Sequence, residues 1–209
     1  MNYEILSGFV LATAALAISP GPDNIYVLMQ GVVNGKKYGL ATTAGLISGC
    51  LVHTTLLAFG VSAIIKANDN LFFVIKLFGA LYLFYLAYKI FKDSSSLSLD
   101  DRLSVPKKSL GQLFKQGFVM NVLNPKVTIF FLAFFPGFLF SDTLSNPFQF
   151  YVLGFLFMLV SFIIFSMIAI LSGSISGYLK RNAQVGNYLK WLQILVFIGI
   201  AIYILLSDK

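Results

Sequence analysis

The stretch "ISPGPDNIYVLMQG", residues 18–31, decides the fold because it interrupts a long apolar segment with two prolines, a glycine and a carboxylate. Pro20 and Pro22 remove two backbone donors and obstruct a helix, and Gly21 lets the chain turn. Carbonyls of the preceding turn therefore lose their partners. The residues after the break begin a new helix, whose free N–H groups favour an anion such as the carboxylate of Asp23.

Composition indicates that this segment lies in a lipid bilayer. Of the 209 residues, 58% are hydrophobic and only 11% are charged, far from the averages for soluble domains. The apolar segments are continuous rather than alternating, which favours helices over a barrel and predicts an all-α integral membrane protein. Most segments reach the ~20 residues needed to cross a bilayer. The six predicted spans are residues 5–28, 40–65, 71–91, 113–140, 148–171 and 191–206.

The net charge of +7 is distributed unevenly between these spans. Eleven Lys and Arg residues lie in the first, third and fifth connections, and three lie on the other side. By the positive-inside rule, the odd-numbered connections face the cytoplasm and both termini face outward. This bias explains the basic composition, so no nucleic-acid partner is expected. No Lys or Arg precedes the first apolar run, which favours a span over a cleaved signal peptide.

The only long connection divides the chain into two halves of three spans. Residues 92–112 are rich in Ser with mixed charges, and they predict a cytoplasmic linker that is either a tether or a regulatory segment. The halves on either side are residues 1–91 and 113–209. Because each half contains an odd number of spans, any similarity between them relates segments of opposite orientation. The predicted architecture is therefore two inverted three-helix halves.

The first span of each half carries a proline with a charge directly after it. These pairs are Pro22-Asp23 and Pro125-Lys126. Broken helices at matching places in two inverted halves are the best sequence indication of a transporter's binding site. Both charges lie 11 residues from the predicted cytoplasmic end of their span, which is roughly 16 Å deep at ~1.5 Å per residue. We therefore expect both near the middle of the bilayer.

A charge at that depth costs on the order of 2.5–3.5 kcal/mol unless it faces the bundle interior, pairs or meets water. The simplest arrangement lets Asp23 and Lys126 face each other. Amides lie close to both charges in the sequence, at Asn24, Asn121 and Asn124. A pocket with a carboxylate, an ammonium and freed backbone groups matches a zwitterion such as an amino acid. A purely structural ion pair between the halves is the alternative.

Two further residues in the second span are candidates for chemistry. His53 lies close to the predicted depth of Asp23 and is a candidate proton carrier, since histidine titrates near neutral pH. The alternative is a structural histidine that is hydrogen-bonded across a helix contact. A metal site built from Cys50, His53 and Asp23 has too few soft ligands for a tetrahedral centre. No metal, no cofactor and no enzymatic constellation such as H-E-x-x-H is therefore predicted.

Small residues in the second span predict a close helix contact. Gly45 and Gly49 are four residues apart and lie on one helix face, as close packing in membranes requires. That contact is either within one chain or between two copies in a homo-oligomer. The many phenylalanines of the fourth and fifth spans are expected to face lipid or to pack, and no chemistry is assigned to them.

Two stretches resemble the LysE/RhtB family of bacterial amino-acid exporters. They are SPGPDNIYVLMQGVVNGKKYGLATTAGLISG at residues 19–49 and GFVMNVLNPKVTIFFLAFFPGF at residues 117–138. The family pattern has P-G-P-[ND] in the first span, a glycine-rich entry into the second, and N-x-x-N-P-K in the fourth followed by phenylalanines and a proline. The matching positions are Pro20, Gly21, Pro22, Asp23, Asn24, Gly35, Gly39, Gly45, Gly49, Asn121, Asn124, Pro125, Lys126 and Pro136.

The resemblance implies export of small amino acids or derivatives, such as homoserine, threonine, leucine or lysine, across the inner membrane of a bacterium. It implies proton-driven transport through six spans in inverted halves. Many members have P-Q-F where this chain has residues 136–138 as P-G-F, and this departure bears on the substrate. Efflux of a heavy-metal cation and a non-transporting scaffold subunit are the alternatives. The expected substrate-binding and coupling residues are Asp23, Lys126, Asn24, Asn121, Asn124 and His53, and the helix-breaking residues are Pro20, Gly21, Pro22 and Pro125.

Overall fold

The structure is a computed structural model that describes residues 2–67, 69–92 and 108–206. Every regular element in these ranges is helical. A π-helical turn, Leu57–Val61, joins α3 to α4, and a 3-10 turn, Phe135–Phe138, follows α7. Most of the predicted linker, residues 93–107, lies outside the described residues. The helices are α1 Tyr3–Ile18, α2 Pro22–Val33, α3 Lys36–Leu56, α4 Ser62–Ala67, α5 Asp69–Lys92, α6 Leu110–Val122, α7 Pro125–Phe134, α8 Asn146–Ile170, α9 Ser172–Arg181 and α10 Ala183–Leu206.

The helices confirm an all-α membrane protein. Four continuous helical segments are long and apolar enough to cross a membrane: Lys36–Ile64, Asn70–Lys92, Asn146–Ile170 and Gln184–Leu206. Two further helix pairs meet the same criteria but are bent, α1 with α2 by 59° and α6 with the α7 segment by 53°. Counting each bent pair as one span gives the six that hydropathy predicts. The last span is also longer than its apolar run, because α10 begins at Ala183.

Both bends occur where the prolines predict them. Residues 19–21 are not helical, and α2 begins with Pro22 at its first position, where a missing N–H costs no hydrogen bond. The second break has a matching design. Asn124 is the N-cap of α7 and its side chain accepts a hydrogen bond from the backbone N–H of Lys126, with Pro125 at the first helical position.

The glycines of the second span allow α3 to approach α6 closely within the same chain. A Cβ at Gly45 would collide with the backbone carbonyl of Phe114, and one at Gly49 would lie 2.7 Å from Oδ1 of Asn121. From the other helix, a Cβ at Gly117 would lie 2.5 Å from the carbonyl oxygen of Thr42. The predicted small face is therefore used for intramolecular packing, where close backbone approach maximises van der Waals contact.

The spans of the two halves pack mainly on each other. Helix α1 contacts α8 and α6 contacts α3, while α5 contacts α7 and α1 contacts α10. The pairs α3 with α8 and α5 with α10 complete the set. Exchanging the first span for the fourth, the second for the fifth and the third for the sixth interchanges the first four pairings two by two and leaves the last two unchanged. An approximate two-fold relation between halves would produce this pattern, and the division into inverted halves stays a prediction.

Segments predicted to share a side of the membrane lie at the same end of the bundle. At one end, the N–H of Asn2 donates to the carbonyl of Phe140 over 2.9 Å, and the hydroxyl of Tyr203 donates to Gly137 over 2.8 Å. The cytoplasmic side itself follows only from the charge count and stays a prediction.

The sequence does not predict α9. This helix lies between the fifth and sixth spans in the chain and packs against α2. Ile175 and Leu179 of α9 contact the buried Leu28 and Met29 of α2. A Cβ at Gly31 of α2 would lie 2.5 Å from the hydroxyl oxygen of Ser172. The half of the first span that follows its break is therefore held by α9 as well as by α3.

The phenylalanines that follow the second break form part of the core rather than a lipid-facing surface. Phe130, Phe131, Phe134 and Phe135 are at most 2% exposed. Phe9 of α1 packs among them, with its ring centroid 5.1–5.7 Å from those of Phe134 and Phe135. Aromatic pairs at such distances add stabilisation beyond their buried area. This aromatic cluster joins the first span to the fourth.

The closest contact between α3 and α6 gives a stability prediction. We expect Gly45→Ala to lower the melting temperature of the purified protein, because the new Cβ collides with the backbone at Phe114 and overpacking of this kind costs about 1–3 kcal/mol. Gly199→Ala in α10 is the control, since a Cβ there meets no atom within 4 Å. Thermal unfolding followed by tryptophan fluorescence measures both. Equal melting temperatures for the two variants would contradict the packing described here.

Candidate functional site

A cavity lies between the two helix breaks and brings the predicted charges together. Gly21, Asp23 and Asn24 line it from the first break, and Asn124 and Lys126 line it from the second. Its volume is about 60 Å³, which is room for a few water molecules. Both charged residues are partly buried. The juxtaposition that the prolines and charges predict is therefore present as geometry.

The two charges line the same cavity, and each contacts a further side chain. Oδ2 of Asp23 accepts a hydrogen bond from Nδ2 of Asn124 over 3.3 Å, so the amide of one break contacts the carboxylate of the other. Nζ of Lys126 lies 4.6 Å from the ring centroid of Phe197 in α10, a cation–π contact. The same ammonium lies 3.4 Å from where a Cβ at Gly21 would stand. A side chain at position 21 would crowd it.

At the first break a side chain satisfies a carbonyl that the break sets free, and at the second a side chain contacts a carbonyl that also accepts the backbone N–H of Asn124 over 3.1 Å. Nδ2 of Asn24 donates to the carbonyl of Ala17 over 2.7 Å, which gives this carbonyl at the end of α1 a hydrogen-bond donor. At the end of α6, Nε2 of His53 lies 3.2 Å from the carbonyl oxygen of Asn121. These two carbonyls are therefore occupied by the protein and are not open to a ligand.

His53 does not line the cavity with the other predicted residues. It is 3% exposed, and its ring lies 5.3 Å from that of Phe131. Its contact with the Asn121 carbonyl crosses from α3 to α6. The geometry thus matches the alternative of a histidine hydrogen-bonded across a helix contact.

The cavity has residues that the motifs do not indicate. Ser161 of α8 lines it together with Phe157 and Phe165 of the same helix. The hydroxyl of Ser161 and Oδ1 of Asn121 are both buried without a hydrogen-bond partner. Ser161 is one of two serines in the apolar span of residues 148–171 and belongs to no motif. The available signal is its spacing, four residues from a phenylalanine on each side. The remaining lining residues are Leu16, Ala17, Pro22, Leu46, Ile47, Cys50, Asn121 and Val127.

The described residues do not support a metal centre. In residues 2–67, 69–92 and 108–206, no three His, Cys, Asp or Glu side chains are grouped so that they could hold a metal ion. Cys50 and Asp23 line the cavity, but His53 points elsewhere, toward Asn121. The cavity offers amide, hydroxyl and paired charged groups instead.

The position of His53 gives a prediction that separates its two roles. Glutamine carries an Nε2 donor at a similar distance from its Cα, so we expect His53→Gln to keep the bond to Asn121 and to retain both transport and thermal stability. His53→Leu removes one of the two donors to this carbonyl, which keeps the N–H of Asn124; the loss of one hydrogen bond costs about 0.5–1.5 kcal/mol and should lower the melting temperature. Melting curves and transport rates across pH test this. Loss of transport in a stable His53→Gln protein would instead support the proton-carrier role.

Comparison with known proteins identifies the family of this chain. The chain is 29% identical over 206 residues to a protein named leucine efflux protein from Salmonella typhimurium, covering 96% of this chain and 95% of the relative. It is 28% identical over 194 residues to a leucine efflux protein from Klebsiella pneumoniae, covering 92% and 91%. No solved structure matches it significantly. The family model described as LysE type translocator matches residues 14–208, and the chain therefore belongs to the LysE-type translocator family of membrane transport proteins.

Proposed function

We propose that this protein exports a neutral amino acid with an apolar side chain, of about the size of leucine, from the cytoplasm. One observation carries the proposal: a single carboxylate and a single ammonium line one otherwise mostly apolar cavity, at the junction of two broken helices. An amino acid presents the complementary pair of charges. The relatives named leucine efflux proteins support the apolar side chain.

The two helix starts differ in a way that orients the substrate. Helix α7 is capped by Asn124, whereas α2 has no side-chain cap at Gly21. The uncapped N–H groups of α2 and the ammonium of Lys126, which lies against Gly21, form an anion site for the substrate carboxylate. The substrate ammonium then contacts the carboxylate of Asp23 and the unpartnered Oδ1 of Asn121.

Transport requires the cavity to change shape. A volume of about 60 Å³ is too small for a whole amino acid, so the walls must separate to admit one. In the proposed alternating-access cycle, the substrate enters from the cytoplasm, binds between Asp23 and Lys126, and leaves when the site opens outward. A proton from outside then neutralises Asp23, which removes the partner of the substrate ammonium and favours release.

The alternatives have less support. Efflux of a heavy-metal cation would need a cluster of ligands, and none is present among the described residues. A scaffold subunit would leave unexplained why a cavity with two charges is kept inside an apolar bundle, where such charges are costly. Homo-oligomers are compatible with the proposal and are not required by it.

The pocket is tested by removing each charge. We expect Asp23→Asn and Lys126→Met to reduce leucine counterflow in proteoliposomes at least tenfold, because each leaves one charge of the substrate without its partner. Controls are Asp142→Asn, in the loop after the fourth span, and Lys115→Met, on the exposed surface of α6. Melting curves show which variants are folded. Full-rate counterflow by either folded pocket variant would refute the assignment.

The coupling ion is tested separately. In everted membrane vesicles with an acidic lumen, we expect leucine uptake to rise severalfold over vesicles without a pH gradient, since the lumen corresponds to the cell exterior. Each uptake event should also make the lumen less acidic. Nigericin, which collapses the pH gradient, should remove the stimulation. Saturable uptake that nigericin does not change would support the export function and exclude proton antiport.

A further inference from the structure

We infer that Ser161 determines the size of the substrate side chain, from a subsite that α8 forms with Phe157 and Phe165. This inference rests on the proposed function and identifies the part of the cavity wall that contacts the substrate side chain. The charged groups recognise what all amino acids share. Selection among amino acids therefore has to come from other lining residues.

Helix α8 presents one regular stripe to the cavity. Phe157, Ser161 and Phe165 follow each other at four-residue spacing, so they lie on one face of the helix, and all three line the cavity. The stripe has a bulky ring at each end and a small residue at its centre. It forms a notch on a helix that supplies no charge to the site.

The two rings that border the notch are held in place by different parts of the core. The ring of Phe157 lies 4.9 Å from that of Phe131, 5.8 Å from Phe135 and 5.9 Å from Phe130, within the aromatic cluster of the fourth span. Phe165 packs against the cluster around Leu46. Because both walls are fixed by packing, the space between them depends on the residue at position 161.

The hydroxyl of Ser161 is the second observation that points to a ligand. The residue is 3% exposed, and its Oγ has no hydrogen-bond partner among the residues that the structure describes. Buried polar groups in native proteins normally have a hydrogen-bond partner. Since this hydroxyl lines the cavity, the carboxylate or ammonium that every amino acid carries supplies the partner. Ser166, five residues after Ser161 on the same helix, also has a hydroxyl without a partner among the described residues, but it does not line the cavity.

The subsite therefore suits an amino acid whose apolar side chain fits between the two rings and whose carboxylate or ammonium forms a hydrogen bond with the hydroxyl of Ser161. Two methyl groups at position 161 would fill the notch and leave room only for a short side chain. One methylene in a hydrophobic pocket changes discrimination by about tenfold or more. A change at Ser161 should accordingly alter the ratio between large and small substrates rather than abolish transport.

The experiment compares Ser161→Val, Ser161→Ala and the matched control Ser166→Val in proteoliposomes, using counterflow of leucine, valine and alanine. We expect Ser161→Val to lower the efficiency for leucine relative to alanine at least tenfold. Ser161→Ala should keep that ratio and raise the KM for all three amino acids about two- to tenfold, as loss of one hydrogen bond predicts. Ser166→Val should change neither the ratio nor the KM.

The outcomes separate this inference from the function on which it rests. A leucine-to-alanine ratio that is the same in Ser161→Val and wild type would overturn the subsite while leaving the exporter intact. If Ser161→Val does not fold, an unchanged KM in Ser161→Ala overturns it equally. Wild-type protein that is folded and exchanges none of the three amino acids would instead refute the proposed function, and the subsite with it.

Discussion

A helix that breaks inside a membrane must find new partners for its backbone within the protein, because lipid offers none. Here side chains supply part of these partners. Asn24 donates to the carbonyl of Ala17 at the first break. At the second, the carbonyl of Asn121 accepts the backbone N–H of Asn124 and is also contacted by His53. Because His53 belongs to a neighbouring helix, this contact joins the second break to α3. The inward-facing breaks, the cavity between them and the position of both charges follow from this requirement.

The same contacts that stabilise the bundle also set the geometry of the site. Gly49 lets α6 approach until the side chain of Asn121 lies against α3, with Oδ1 only 2.7 Å from where a Cβ would stand. That approach also brings the Asn121 carbonyl within reach of His53. A larger residue at position 49 would displace both ends of Asn121. Packing and site are therefore coupled through one residue, as tight interiors with little free space generally require.

The sequence predicts the features that have a local physical cause. Proline and glycine mark the breaks, and the cost of a charge in lipid predicts that Asp23 and Lys126 face inward; the structure places both at one cavity. What the sequence could not predict depends on tertiary contacts. Helix α9 follows α8 at Leu171 without a proline or glycine between the two helices. No helix-breaking residue therefore marks where α9 begins. A role for the hydroxyl of Ser161 likewise can be inferred only once α8 is known to face the cavity.

The opposite signs of the two charges bear on how the proposed cycle proceeds. Asp23 and Lys126 each follow the proline that begins the second helix of a broken pair, so equivalent positions hold charges that cancel. A zwitterionic substrate is neutral as well, so the site has the same net charge empty and loaded. In a low-dielectric bundle this limits the electrostatic cost of moving between the two access states in either condition. A proton on Asp23 would disturb that balance. It would leave the ammonium of Lys126 beside that of the substrate with no carboxylate from the protein, and the repulsion would favour release on the side from which the proton came.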